Sequence, residues 1–357
     1  MKIVDSDAHV IEGQELMAEL LGRFPDKIRM ARPEEEGAAL VIEGRRYPNA
    51  SGPGAGCHAK HGMCLDRGAN PFTAAGVMHD ADREGIDAMV FFPSAALGLP
   101  GFTDAAFAAE FARLYNRWLA SYCRQFPARM FGVALVPIED VAASIAIMRE
   151  AKELGLVATM VPAVLKRRNL DHPDLEPFYA TAAELDMPLG IHGAPGIHLP
   201  TLGSERFDNY LQVHVVSFPF DMMVATTALV MGGVLERHPR LRVACLESGV
   251  GWVPYFMDRM DEHVEKRGRL TPECKRKPRE YLERGQLYVS CEPEESAVPF
   301  VAETLGPDFI MYASDYPHWD SDFPHSTQPL RERTDISAAV RARIMGENAA
   351  RFYHLPH

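Results

Sequence analysis

The chain predicts an α/β fold, a (β/α)8 TIM barrel with an irregular insertion after the first strand, and three observations carry that prediction. Short, almost continuously apolar runs alternate with segments of helical period, which is how strands buried on both faces of a parallel sheet read. Eight such runs occur, the number that closes a (β/α) barrel. The first run leads into DSDAHV rather than a glycine-rich phosphate loop, which disfavours the rival doubly wound open sheet.

The first strand covers residues 2–9, within VDSDAHVIE at 4–12. Residues two apart on a strand share a face, so Asp5, Asp7 and His9 are expected to project together, with Val4, Ser6 and Ala8 opposite. Residues 14–23 are helical. From about 25 to 72 the pattern dissolves into Gly, Pro and charge; this is the insertion, and its length suits a lid over the site. Inside it, 39–47 (ALVIEGRRY) reads as a hairpin turning at Glu43-Gly44, followed by Gly-rich SGPGAG. Arg45 and Arg46 suit a carboxylate clamp, which makes Arg46 a candidate substrate-binding residue; solvated surface arginines are the alternative.

A regular beat follows. Helix 72–84 precedes strand 88–93, helix 105–125 precedes strand 131–137, helix 140–154 precedes strand 157–162, and helix 175–185 precedes strand 188–192. Then a long helix within 220–238 leads to strand 242–247, helix 252–267 to strand 287–291, and helix 297–305 to strand 309–315, with a closing helix over 336–352. The whole of 1–357 is read as one barrel domain.

Composition narrows the function. At 47% hydrophobic and a formal charge of −12, the chain buries a large core and lacks the basic stripe of a nucleic-acid binder. No apolar stretch is read as long enough to span a membrane, and no signal-type segment opens the chain, so a cytoplasmic location without membrane partner is expected. The six scattered cysteines read as free thiols rather than a disulfide framework.

The polar residues gather where a barrel keeps its chemistry, at the carboxyl ends of the strands. Strand one ends in Asp7 and His9, strand five in His192, strand six in Glu247 and strand eight in Asp315. Ionisable groups at the ends of apolar strands need a partner. Two imidazoles with carboxylates make a mixed N/O set for one divalent ion, Zn²⁺ or alternatively Mn²⁺, with Asp7, His9, His192 and Asp315 as ligands. Glu247 is a further ligand, a hydrogen-bonding partner of a ligating histidine, or a proton-transfer group. Asp315, Glu247 and His214 are the candidate catalytic residues, His214 lying either in the pocket wall or simply at a helix entry. His318 and Trp319, in SDYPHWD, and Trp252 are candidate substrate contacts.

These motifs resemble the amidohydrolase superfamily, specifically the amidohydrolase family 2 branch that includes α-amino-β-carboxymuconate-ε-semialdehyde, γ-resorcylate and 5-carboxyvanillate decarboxylases. The resemblance rests on DSDAHVIE, DREGIDAMVFFP, YNRWLASYC, IHGAPG, the long run GGVLERHPRLRVACLESGVGWVPYFMDRMDEH, YASDYPH and MGENAARFY, and so covers nearly the whole chain. It implies metal ligands at Asp7, His9, His192 and Asp315, a small carboxylate substrate and a homodimer. Two departures stand out: many members carry His where this chain has Asp7, and the decarboxylases carry His where it has Glu247. The resemblance implies a non-oxidative decarboxylase of a small aromatic or unsaturated acid. A hydrolase that attacks an amide, ester, lactone or C–C bond with metal-activated water is the alternative, and a non-catalytic carboxylate-binding barrel the third.

Overall fold

The computed structural model describes residues 2–356. Eight parallel strands lie side by side in chain order: β1 Val4–Val10, β2 Ala88–Pro93, β3 Met130–Ala134, β4 Ala158–Pro162, β5 Leu189–His192, β6 Val243–Cys245, β7 Leu287–Cys291 and β8 Ile310–Tyr312. Individual bonds close the seam between β1 and β8. Asp315 N–H donates to Asp7 O at 3.0 Å, His9 N–H to Tyr316 O at 2.6 Å, and the Ser6 hydroxyl to Tyr312 O at 2.7 Å. The predicted nearly closed (β/α)8 barrel is thus the observed architecture.

Strands β6 and β8 stop short of their predicted ends, for a backbone reason. Glu247 and Asp315 have φ of 52° and 51°, in the left-handed region that non-glycine residues rarely adopt, and a strand cannot continue through it. Both acids therefore sit on turns above the barrel. In β1 the predicted alternation also fails, because a register shift between Asp5 and Ala8 puts a bulge against β2. Such a bulge re-aims the side chains on either side of it.

Helices bracket the strands, and three of them begin at side-chain caps: Thr73 accepts from Gly76 N, Asp104 from Phe107 N and Asp140 from Ala143 N. The helix after β5, Tyr210–Met231, starts ten residues earlier than expected, capped by Asn209. Its full 22 residues are long and apolar enough to cross a membrane by composition, which corrects the expectation that no stretch reaches that length. Packing accounts for much of the apolar sequence, since ten of the 22 residues are buried. The closing segment is not one helix but Ala338–Ala342, a widened π turn at Arg343–Glu347, and Asn348–Tyr353. A Cβ on Gly346 would meet Lys2 O at 2.2 Å, so glycine there lets the wide turn pass directly under the first strand.

The insertion folds as an antiparallel sheet, Ile28–Met30, Leu40–Ile42 and Arg45–Tyr47. The last two are the predicted hairpin; the first was not anticipated. Glu43 and Gly44 at the tip both have positive φ, and the Glu43 carboxylate takes the backbone N–H groups of Thr103 and Asp104, each at 2.7 Å. That anchors the insertion to the rim above β2.

Candidate metal centre and active site

Four side chains from two strands and the turn after β8 meet at the carboxyl mouth, joined by Glu247 from the turn after β6. His9 Nε2 lies 3.6 Å from Asp7 Oδ1 and 3.1 Å from Asp315 Oδ1; His192 Nε2 lies 3.7 Å from Asp7 Oδ1 and 3.2 Å from Glu247 Oε2. Backbone carbonyls fix both imidazole tautomers. His9 Nδ1 is 2.6 Å from Pro93 O and His192 Nδ1 2.8 Å from Gly193 O, and since a carbonyl only accepts, each Nδ1 must donate. Each Nε2 then presents a lone pair.

Those lone pairs face other acceptors. Both oxygens of Asp7, Nε2 of His9 and His192, and Oδ2 of Asp315 are buried with no hydrogen-bond partner. Orphaned buried acceptors are costly, and a divalent cation satisfies all of them at once. The donor set, two imidazoles oriented by carbonyls plus carboxylates, fits such an ion. Phe92 forms the floor, its ring centroid 5.5 Å from that of His192. Gly190 makes room for it, since a Cβ there would meet the Phe92 ring at 2.6 Å.

The electrostatics follow from the same crowding. Burial, then Asp315, pushes Asp7 well above the usual carboxylate range; burial, then Asp315, Asp320 and Asp7, does the same to Glu247. Burial lowers His192 to about 3 and His214 to about 4. Asp315 goes the other way: burial opposes its ionisation, but His318 and His9 overcome it. His318 Nδ1 is 2.9 Å from Asp315 Oδ1, and its Nε2 is 3.1 Å from Ser94 Oγ.

Above the cluster is a cavity of about 290 Å³, at the small end of ligand pockets. The helix after β5 contributes His214 and Phe218, the rim turns and loops contribute Glu247, His318, Trp319 and Asp320, and the insertion contributes Leu40, Tyr47, Cys57 and Met63; no Lys or Arg lines it. A larger cavity of about 1160 Å³ opens at the opposite, amino end, away from every metal-ligating cluster found among the described residues.

Most of the predicted residues converge here: Asp7, His9, His192, Glu247, Asp315, His214, His318 and Trp319. His214 sits in the first turns of its helix, not before it, and faces Glu247. Two substrate-contact expectations are corrected. Arg46 is not in the cavity wall, because its guanidinium is held by Asn49 and Ser51 of the loop that follows its strand, at 3.0 and 3.1 Å. Trp252 caps the helix Val253–Arg267 outside the cavity, packed edge-on against Phe256 with Nε1 3.4 Å from Ser248 Oγ. Asp5 also leaves the group, its carboxylate taken by Ser314.

Sequence reasoning missed Asp320, Glu292 and Ser94. Glu292 directly follows Cys291 at the end of β7, so the strand-end argument applied to that strand would have found it. Glu12 was read only as part of the first motif. It takes the N–H groups of Ser94, Ala95 and Ala96 at 2.9–3.1 Å and thereby holds Ser94 against His318.

A cluster of orphaned imidazole and carboxylate groups at the catalytic mouth of a (β/α)8 barrel defines a metal-dependent barrel enzyme. The chain belongs to the amidohydrolase family, whose profile matches residues 4–355. It is 26% identical over 255 residues to 2-amino-3-carboxymuconate-6-semialdehyde decarboxylase of Dictyostelium discoideum, covering 70% of this chain and 67% of that protein. Solved structures sharing the fold include 5-carboxyvanillate decarboxylase from Sphingomonas paucimobilis, at TM-score 0.75, 18% identity and 99% coverage of both chains. Another is a dihydroxybenzoic acid decarboxylase from Polaromonas with bound manganese and 2-nitroresorcinol, at TM-score 0.71, 21% identity and coverage of 99% and 97%.

Proposed function

We propose that the protein is a metal-dependent, non-oxidative decarboxylase of a small aromatic or unsaturated carboxylic acid. The observation that carries this reading is the set of orphaned acceptors at the floor of a small cavity without Lys or Arg: an acid entering it has the bound cation, beside His318, to take its carboxylate. The names of the relatives support the same reaction class.

Asp7, His9, His192 and Asp315 would hold the ion. When bound, it supplies Lewis acidity that draws charge from the substrate's carboxylate and adjacent oxygen. The remaining work belongs to the protein. Phe218 and Trp319 bound the cavity and exclude water around a flat substrate, and the pinned imidazoles give the site a single geometry. His318, oriented by Ser94, donates to Asp315, whose Oδ2 is free of protein partners; this pair is placed to move a proton to the carbon that bears the carboxylate. The carbon–carboxylate bond then breaks and CO₂ leaves.

The ion is proposed as Mn²⁺ or Zn²⁺. The carboxylate-rich set suits either, and manganese in the Polaromonas relative supports the former. A homodimer in the cytoplasm is proposed with it. Metal-activated water on an amide, ester or lactone is the second reading, favoured by Glu247, which stands where the decarboxylases carry histidine. The two separate by product: reconstituted enzyme given hydroxylated benzoates in ¹⁸O-water should release CO₂ with no ¹⁸O in the organic product. Labelled organic product without CO₂ overturns decarboxylation.

A further inference from the structure

Beyond the four ligands, a second group of donors stands across the cavity. His214 Nε2 is 3.4 Å from Glu247 Oε1 and 3.5 Å from Asp320 Oδ2, and one ligand atom of each of the three lies within 4.8 Å of the others. Ligands about 2.1 Å from a shared ion are separated by roughly 3.0–3.4 Å when adjacent, close to these spacings. The three come from different parts of the barrel rim: the helix after β5, the turn after β6 and the loop after β8.

Glu247 links the two groups. Its side chain is nine-tenths buried, and no backbone or side-chain N–H satisfies it. One oxygen faces His192 Nε2 at 3.2 Å and the other faces His214. Because His192 Nδ1 donates to Gly193 O, the His192 nitrogen facing Glu247 is a lone pair. An acceptor set against an acceptor is repulsive unless a proton or a metal cation lies between or beside them. Glu247 is also held in the left-handed backbone region, a strained placement of the kind found at ligand sites. His214 is already aimed, its ring packed between Tyr210, Phe218 and Trp319 with centroids 4.5–5.7 Å away.

Charge balance gives an independent argument. Of the carboxylates here, Glu247 and Asp320 line the cavity, which no Lys or Arg lines, and Asp7, Glu292 and Asp315 lie close enough for their charge to act on Glu247. One divalent ion offsets two of these five carboxylates and a charged His318 a third, and an incoming substrate adds another anion.

We propose that a second divalent cation binds at His214, Glu247 and Asp320, with Glu247 spanning this position and the first. The inference rests on reading Asp7, His9, His192 and Asp315 as a metal centre. A hard N/O-preferring ion such as Mn²⁺ suits it.

The test is Mn²⁺ binding to metal-stripped full-length protein, by equilibrium dialysis with elemental analysis, alongside electron paramagnetic resonance. Wild type is expected to hold two Mn²⁺ per chain with a spin-coupled spectrum. Asp320→Asn combined with His214→Gln is expected to hold one, with an uncoupled spectrum. His192→Ala is expected to weaken the first position. One uncoupled Mn²⁺ in wild type overturns the second site and leaves the first standing, as do two ions that persist in the double variant. No Mn²⁺ in wild type overturns the metal centre itself. Thermal melting checks that the variant folds; should it not, the wild-type stoichiometry and spectrum decide.

Discussion

Two aspartates two residues apart on β1 separate the barrel's seam from its active site. Asp5 and Asp7 are equally buried, at 0% and 1% exposure, yet their surroundings are opposite. Asp5 takes the Ser314 N–H at 3.0 Å, the Asp7 N–H at 3.3 Å and the Ser314 hydroxyl, so it ties the first strand to the segment after the last. Asp7 has no partner at either oxygen. The same pattern extends outward: Asp80 in the seam takes Asn70 N–H and Tyr316 O–H at 2.6 and 2.7 Å, whereas the mouth leaves imidazole nitrogens bare. Burial alone does not mark a functional carboxylate; unmet hydrogen-bonding capacity does.

The largest expected effect comes from the orphaned side. Asp7→Asn and His192→Ala should each remove the ion from the four-ligand site and lower kcat/KM by well over the roughly 100-fold that loss of a ligand's supporting partner costs. Elemental analysis and assay together check this. Asp7→Asn should also fold normally, because it relieves a buried charge rather than breaking a bond. An unfolded Asp7→Asn that keeps its metal would reverse the contrast with Asp5.

Asp5→Ala should show the complementary behaviour. It strands the Ser314 N–H and hydroxyl in the core, and losing such a buried, charge-assisted set should cost about 3 kcal/mol of stability. Urea unfolding measures that, and metal content of the folded fraction should stay at the wild-type value.

A third buried aspartate lies between these extremes. Asp221, on the helix after β5, accepts one bond, from Leu202 N–H at 2.8 Å, and burial raises it from 3.8 to about 7. Below pH 4 both folded and unfolded forms hold the proton. Between pH 4 and 7 the unfolded chain releases it while the folded chain keeps it, so this group's contribution makes stability fall as pH rises through that window, and level off above it. A gap of about three pH units has a ceiling near 4 kcal/mol; relaxation and water access should leave about 1–2 kcal/mol. Asp221→Asn keeps the acceptor and should gain that much at pH 8 and almost nothing at pH 4, read from urea midpoints. Equal gains at both pH values would place the effect in packing instead.

How much of this was legible in the chain depends on what each feature needs. The barrel was legible because strand and helix alternation is local, and the gathering of the candidate ligands at one mouth was legible because a strand-end rule converts position into location. What failed needed three dimensions. The bulge at Ser6–Asp7 depends on pairing with β2, so Asp5 and Asp7 could not be told apart. The helix of His214 was started ten residues late, because VHVVSFPF contains a proline that suggests a boundary. Arg46 and Asp320 show the same limit from both sides, since an arginine in the hairpin finds partners in the loop just after its own strand, and an aspartate after Trp319 meets its partners only when the rim assembles.

The smallest expected effects concern two tryptophans that composition treats alike. Trp319 and Trp252 both follow strand ends and both have a hydroxyl partner for the indole, Tyr210 at 3.0 Å and Ser248 at 3.4 Å. Only Trp319 lines the cavity, where its ring also braces His214. Trp319→Phe should therefore raise KM about 10-fold, the loss of roughly 1.4 kcal/mol of substrate contact. Trp252→Phe keeps an aromatic ring against Phe256 at a site remote from substrate, so its effect on kcat/KM should stay within about two-fold, the scale of substitutions away from special features. Steady-state kinetics on both variants decides between them. Equal losses would mean that the helix capped by Trp252 transmits its packing to Glu247 through the short turn they share.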